Sequence, residues 1–388
     1  MGEEPTIRIA QSCAAEPRVA VRELYAGLAQ PELSLVLFFC SSDYDRGALA
    51  EELRTRFGRT LVVGCTTAGE IGPLGCRDRS LTGVSFAPSA GTAVMGHLDD
   101  LRGFSIPEGV EFARSLRRRL EDEAQQADAH NTFALLLVDG LFGHEEQLAH
   151  ALQEGLGEIL LVGGSAGDSM SFANTYTYRD GDFVSGSAVL VLITTPLPFI
   201  EFKTQHFEPT DERFVVTEAD PDLRVVSEID GLPAAEEYAR MLGVDPRDLG
   251  PAHFAASPVV VLIDGGNYVR SIQKVNPDGS LKFYCAIERG VVLRGAKGVD
   301  LVRNLEAALA QVRARIGPPQ VVLAFDCILR RLEILQTGVE QPVADLLRAN
   351  NAVGFNTYGE QYCGLHMNQT LTAVAIGSRR AAGGARNG

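Results

Sequence analysis

Leu61–Glu70 reads LVVGCTTAGE, an apolar run that ends in a turn of glycine, hydroxyl side chains, glycine and a carboxylate. Leu161–Asp168 (LVGGSAGD) and Gly354–Glu360 (GFNTYGE) repeat the form. Each turn has an opening Gly, a central Ser or Thr, a closing Gly and an acid, and each separates two strand-like runs. A repeated supersecondary unit fixes how a core is assembled, so these turns organise the reading of the whole chain.

Around the first turn, Leu33–Cys40 (LSLVLFFC) is a continuous apolar run of strand length, the pattern of a strand buried on both faces. An entry strand at Ile7–Ala10 and a helix over Glu16–Leu28 precede it. Asp43 is placed to cap the next helix, which ends near Arg56. Strands at Thr60–Val63 and Leu81–Phe86 flank the turn. The order recurs with a strand at Phe133–Val138, a helix at Glu145–Leu156, a strand at Ile159–Val162, an Asp-Gly hairpin at Arg179–Asp182 and a strand at Ser187–Ile193. A third copy runs through Val321–Phe325, helix over 328–350, Ala352–Phe355 and Gln369–Ile376. Between copies two and three lies a different segment. It has strands at Arg224–Ile229, Val259–Ile263, Tyr268–Lys274 and Leu281–Ile287, a helix started by Pro233 and stopped by Gly243, and a helix over Val299–Ile316.

The expected fold is therefore mixed α/β, with repeated strand–helix–strand–turn–strand units forming mixed sheets flanked by helices. Two domains are expected, 1–216 with an internal duplication over 30–100 and 130–195, and 217–378. A Gly/Ala/Arg-rich tail, 379–388, is expected to be disordered.

Composition narrows the function. The 388 residues carry a formal charge of −15, which repels phosphate backbones and argues against nucleic acid as a partner. No apolar run approaches the roughly 18 residues that span a bilayer. The seven cysteines include no C-x-x-C pair, which suits reduced core thiols in a cytoplasmic protein. Cys327 and Cys363 would need a base or a positive environment to act as nucleophiles.

Gly163–Gly167 (GGSAG) matches the G-x-S-x-G elbow of serine hydrolases, with Ser165 as nucleophile. The elbow demands a helix directly after it, whereas Asp168–Tyr176 has the chemistry of a loop, and the sister turns carry Thr. The turns also offer backbone N–H groups and hydroxyls at strand ends, suited to a polar group of a small ligand. The candidate contacts are Thr66, Thr67, Glu70, Ser165, Asp168, Asn356, Thr357, Glu360 and Asn368. Buried, the three acids need partners; Arg270 and Lys274 are conceivable counterions. None of the seven histidines has a metal spacing. His206 and His366 each sit among apolar residues, where an imidazole serves either as a structural hydrogen-bonding group or as an axial haem ligand.

Leu61–Glu70, Leu161–Asp168 and Gly354–Thr372 (GFNTYGEQYCGLHMNQTLT) together resemble the FIST family, in which a FIST N domain precedes a FIST C domain. The phrase Ile229–Ala234 (IDGLPA) with Tyr238 and Leu242-Gly243 is similar to the start of the C domain. The resemblance implies a non-enzymatic sensory module of bacterial and archaeal signal transduction that binds small ligands such as amino acids. It is also similar to the NosP-like branch of nitric-oxide-sensing haem proteins, which implies haem b as cofactor and makes haem with nitric oxide the leading expected ligand, with a small polar metabolite as the alternative. A histidine kinase or a cyclic-di-GMP enzyme would be the signalling partner, and homodimerisation is compatible with either reading. Many family members carry His directly before N-Q-T. Here that position is Met367, and His366 stands one residue earlier, which in a strand turns the side chain to the other face.

Overall fold

The structure is a computed structural model, and it describes residues 6–263 and 265–378. The expected tail, 379–388, lies outside the described residues. The first repeat runs β1 (Ile7–Ser12), α1 (Pro17–Leu28), β2 (Leu35–Ser41), α2 (Arg46–Phe57), β3 (Leu61–Thr67), the hairpin β4 (Glu70–Gly72) and β5 (Gly75–Arg77), and β6 (Leu81–Phe86). The second runs β7 (Thr92–Leu98), α3 (Ile106–Glu123), β8 (Thr132–Val138), α4 (Glu145–Leu156), β9 (Leu161–Ser165), the hairpin β10 (Thr177–Arg179) and β11 (Asp182–Val184), and β12 (Ala188–Thr194).

The third repeat opens with β13 (Phe199–Thr204) and is then interrupted by an inserted body. That body comprises β14 (Phe207–Asp220), β15 (Val225–Ile229), β16 (Leu232–Pro233), α5 (Ala234–Leu242), α6 (Pro251–Ala256), β17 (Val259–Ile263), β18 (Gly266–Arg270), β19 (Ile272–Val275), β20 (Leu281–Phe283) and β21 (Val292–Gly298). The repeat resumes with α7 (Leu301–Ile316), β22 (Val321–Cys327), α8 (Ile328–Thr337), α9 (Glu340–Ala349), β23 (Ala352–Thr357), the hairpin β24 (Glu360–Tyr362) and β25 (Leu365–Met367), and β26 (Leu371–Ile376).

Three six-stranded sheets share one order. They are β1-β6-β2-β3-β10-β11, β7-β12-β8-β9-β24-β25 and β13-β26-β22-β23-β4-β5. Each repeat supplies four strands to its own sheet and lends its hairpin to another. Hairpin one goes to sheet three, hairpin two to sheet one and hairpin three to sheet two, a cyclic exchange. The inward faces of all three sheets meet in one core that includes Leu37, Phe39, Leu135, Leu137, Leu323 and Phe325. The outward faces pack under helices, in separate clusters for each repeat. Burial on both faces is why the central strands read as unbroken apolar runs. The opening glycine of the third turn is fixed by the close parallel pair β22–β23, since a Cβ on Gly354 would lie 1.7 Å from the carbonyl oxygen of Ala324.

The fold class is as the sequence implies, and some local readings change. Asp45, not Asp43, caps α2, accepting from the Ala48 amide at 2.7 Å, while Asp43 pairs with Arg79. The run Tyr268–Lys274 breaks at Ser271 into β18 and β19, which extend different parts of the inserted sheet. The strand expected over Leu281–Ile287 ends at Phe283.

Candidate functional site

The three turns meet. The Asn356 amide donates to the Gly69 carbonyl (2.8 Å), the Thr66 amide to Tyr176 (3.0 Å) and the Ser165 amide to Gly359 (2.8 Å). Each turn thus receives the backbone that leads into another repeat's hairpin, and the three bonds close a ring. The Ala68 amide to Asn356 (3.0 Å) and the Gly167 amide to Thr66 (3.0 Å) brace it. The exchange of hairpins in the sheets is what brings turns from residues 66, 165 and 356 together.

The carboxyls of two turns lock their own hairpins. Glu70 is buried, with Oε2 accepting from the Ser80 amide (2.9 Å) and hydroxyl (2.8 Å) and Oε1 against Thr67 Oγ1. Glu360 repeats this with the Thr370 amide (3.2 Å) and hydroxyl (2.7 Å) and with Thr357. Burial raises Glu70 to about 7 and Glu360 to about 8, so both hold protons well above the ordinary carboxyl range. Thr67 Oγ1 has one hydrogen and also lies 3.1 Å from the Cys40 carbonyl. A protonated Glu70 lets the threonine donate to Cys40 and accept from the carboxyl. Neither acid is paired with Arg270 or Lys274 in any hydrogen bond or ion pair among the described residues.

The second turn differs. By strand register, Thr177 holds the place of Glu70 and Glu360, because these residues pair with Cys65, Phe355 and Gly164 respectively. Thr177 Oγ1 meets Ser187 Oγ at 2.7 Å, and Ser187 is the counterpart of Ser80 and Thr370. Asp168 is therefore not the third member of the acid set. It lies in a longer loop and accepts from the amides of Phe172, Ala173 and Asn174 (each 2.8 Å) and from the Tyr358 hydroxyl.

Beside this loop opens a cleft of about 190 Å³. Gly140, Leu141, Gly143 and Glu145 form one wall, Phe172, Tyr358 and His366 another, and Asp222, Arg224, Lys282 and Tyr284 of the inserted body roof it. Phe172 stacks on Tyr358 with centroids 4.3 Å apart. Arg224 fastens the roof. Its Nη2 reaches Glu145 and, at 2.7 Å, Glu146, and its Nη1 donates to the Tyr284 carbonyl at 2.8 Å. Glu146 also accepts from the Ala286 amide at 2.9 Å.

Of the expected site residues, His366 alone lines the cleft. It is buried, its Nδ1 lies 3.2 Å from Gln361 Nε2, and burial lowers its pKa, so the ring is neutral. His206 is elsewhere, at the base of the inserted body, with Nε2 2.7 Å from Glu333 and Nδ1 3.1 Å from Arg330. Thr66 Oγ1 accepts from the Tyr176 amide (3.0 Å), and Asn356 Oδ1 accepts from Arg331 (3.0 Å). Asn368 is buried with both amide atoms unpartnered among the described residues. Ser165 Oγ accepts from Gln361 at 2.9 Å, and the chain after it is loop leading to β10, without the helix a nucleophile elbow requires. Burial pushes the Cys327 thiol well up, and the Cys363 thiol is raised as well, which removes the activation a nucleophile needs.

Sequence reasoning missed Phe172, Tyr284, Arg224 and Glu145 as cleft residues, and Glu146 as the second partner of Arg224. Arg224 and its carboxylates are 78 and 79 positions apart, and no local pattern joins them. Tyr358 was within the third turn and could have been singled out as its only aromatic ring besides Phe355.

The FIST N domain is matched by residues 34–232 and the FIST C domain by residues 234–363. An uncharacterized protein of Methanocaldococcus jannaschii, MJ1623, is 28% identical over 219 residues, which cover 53% of this chain and 42% of that protein. The match thus spans less than half the length of that relative. Among solved structures, a cyanuric acid hydrolase from A. caulinodans aligns over 97% of this chain and all of its own, at 12% identity and a TM-score of 0.38. A second cyanuric acid hydrolase structure covers 95% of this chain and 99% of its own, at 10% identity and 0.35. Overlaps this loose say nothing of this chain's activity. Two consecutive domain matches that between them run from residue 34 to 363 place the chain in the FIST family of sensory signal-transduction proteins.

Proposed function

We propose that this protein is a non-enzymatic sensor whose ligand is a small polar metabolite, of the size of an amino acid, bound in the cleft under the inserted body. The observation that carries this reading is the position of the cleft. It lies where the second repeat, the third turn and the inserted body meet, so a ligand there touches all three and biases how the inserted body sits. Asp222, Arg224, Lys282 and Glu145 bring charges of both signs to an aromatic wall, which is the chemistry of polar-ligand recognition. The change would be passed to a separate signalling protein, such as a histidine kinase or a cyclic-di-GMP enzyme.

Haem with nitric oxide fits less well. The cleft is smaller than the roughly 300–1,000 Å³ that larger ligands occupy. Both ring nitrogens of His206 are engaged, so it would have to give up Arg330 or Glu333 to bind iron. Calorimetric titration of the full chain with a panel of amino acids, beside the Leu141→Trp variant, tests the proposal. The expected result is saturable binding that the tryptophan abolishes. A Soret band on haem addition that disappears in His366→Ala, with no metabolite bound, would replace this reading with the haem one.

A further inference from the structure

The three repeats build three equivalent junctions, and at two of them an arginine of the chain lies against the ring of turns. The equivalence is set by hydrogen bonds. The amides of Ser41, Asp139 and Cys327 donate to the carbonyls of Ser80, Ser187 and Thr370, each at 3.0 Å. Five residues after Ser41 stands Arg46, whose guanidinium lies 4.0 Å over the ring of Tyr176. Four residues after Cys327 stands Arg331, whose guanidinium reaches the Ala68 carbonyl (3.2 Å), Asn356 Oδ1 (3.0 Å) and Asp78 (2.7 Å). It presses so closely on Gly69 that a Cβ there would sit 1.5 Å from Nη1. Tyr176 and Gly69 are two of the three residues whose carbonyls close the ring of turns. At two junctions, then, an arginine rests on the ring.

The corresponding positions after Asp139 are Gly143 and His144, and here the cleft is open. The imidazole that stands over Gly359, the third ring residue, is that of neutral His366. Asn368, two residues before Thr370 as Asp78 is two before Ser80, keeps an acceptor oxygen in the register of the arginine-binding carboxylate, unpartnered among the described residues. Glu145 and Asp222 face Arg224 and Lys282 around the opening, and Glu146 stands behind Arg224, which it pairs. The faces of Tyr284, Tyr358 and Phe172 supply the ring surface that Tyr176 gives Arg46.

We propose that the open cleft takes a small organic cation bearing a guanidinium group, beside His366, which covers Gly359 where Arg331 covers Gly69 at a sister junction. This rests on the reading of the cleft as the ligand site. A planar guanidinium matches carbonyl and amide acceptors and stacks on aromatic faces, which an ammonium does less well.

The test is calorimetry with arginine, citrulline and methylguanidine on the full chain and on Leu141→Trp. Arginine and citrulline differ only in guanidinium against neutral urea. The proposal expects arginine to bind about tenfold or more tightly than citrulline, methylguanidine to compete with it, and Leu141→Trp to abolish both. Tyr284→Leu, which removes a ring without adding bulk, should weaken arginine and serves if the tryptophan variant misfolds. Citrulline binding as well as arginine, with loss in Leu141→Trp, would overturn the cation and leave the cleft standing. Arginine binding untouched by both variants would overturn both. No binding of arginine or methylguanidine would overturn the cation.

Discussion

Two of the three turn junctions are closed by a glutamate of the hairpin itself, and one by a pair of hydroxyls beside the buried Asp139 carboxylate, which accepts from the Thr175 hydroxyl, the Gly186 amide and, at 2.9 Å, the Leu141 amide. Glu70 and Glu360 each gather an amide and two hydroxyls, while Thr177 and Ser187 make a single bond in the same register. The difference teaches why the open cleft lies where it does. Held from Asp139 after β8 rather than by an acid of its own hairpin, the second turn carries a longer loop, 166–176, whose Asp168 holds Tyr358 and whose Phe172 stacks on it. Those two rings are the aromatic wall. The carboxyl locks close their turns tightly and leave no such loop.

The largest expected effect is the loss of a lock. Glu360→Ala strands the Thr370 amide and two hydroxyls in the interior and should cost about 3–5 kcal/mol in urea unfolding. Thr177→Ala should cost only about 1 kcal/mol. Equal losses would erase the distinction between the junctions.

A pH titration sharpens it. The folded chain holds protons on Glu70 to about 7 and on Glu360 to about 8, and an unfolded glutamate releases its proton near the ordinary value of 4.5. Between those values the folded state binds more protons at these two sites, so their contribution to stability is full below about 4.5 and is lost as pH rises to about 8. The larger shift makes Glu360 the larger contributor, on the order of 5 kcal/mol against about 3 for Glu70. In Glu70→Gln/Glu360→Gln the fall in thermal midpoint between pH 5 and 8.5 should shrink. A slope unchanged in the double variant would contradict the protonated locks.

Smaller effects separate the junctions. Arg331→Ala leaves Asn356 Oδ1 and the Ala68 carbonyl without their donor and should cost about 1–2 kcal/mol. Asp45→Ala removes the cap of α2 and should cost about 1 kcal/mol. No matching cap exists to lose on α4, whose start lines the open cleft and has no side-chain cap.

Much of this was legible in the sequence. Unbroken apolar runs marked the strands buried on both faces, and the recurring glycine turns marked the repeats. The Asp-Gly and Pro-Asp-Gly signals placed the hairpin turns at 180–181 and 277–279. The exchange of hairpins was not legible, because Glu70 pairs with Phe355 across the whole chain and local pattern carries no trace of it. Asp168 ends the second glycine turn and so reads in sequence as the equivalent of Glu70 and Glu360, and only the register with Cys65 shows Thr177 in their place. The contacts that make the cleft join the second repeat to a body inserted in the third, so proximity in sequence pointed to the turns rather than to the opening beside them.

Backbone hydrogen exchange with and without a bound metabolite tests the central claim most directly. Ligand should slow exchange at 140–147 and 282–286, on either side of the open cleft, and leave the sister segments 46–50 and 328–334 unchanged. Protection at the sister segments, or none at 140–147, would contradict the assignment of this cleft as the sensory site.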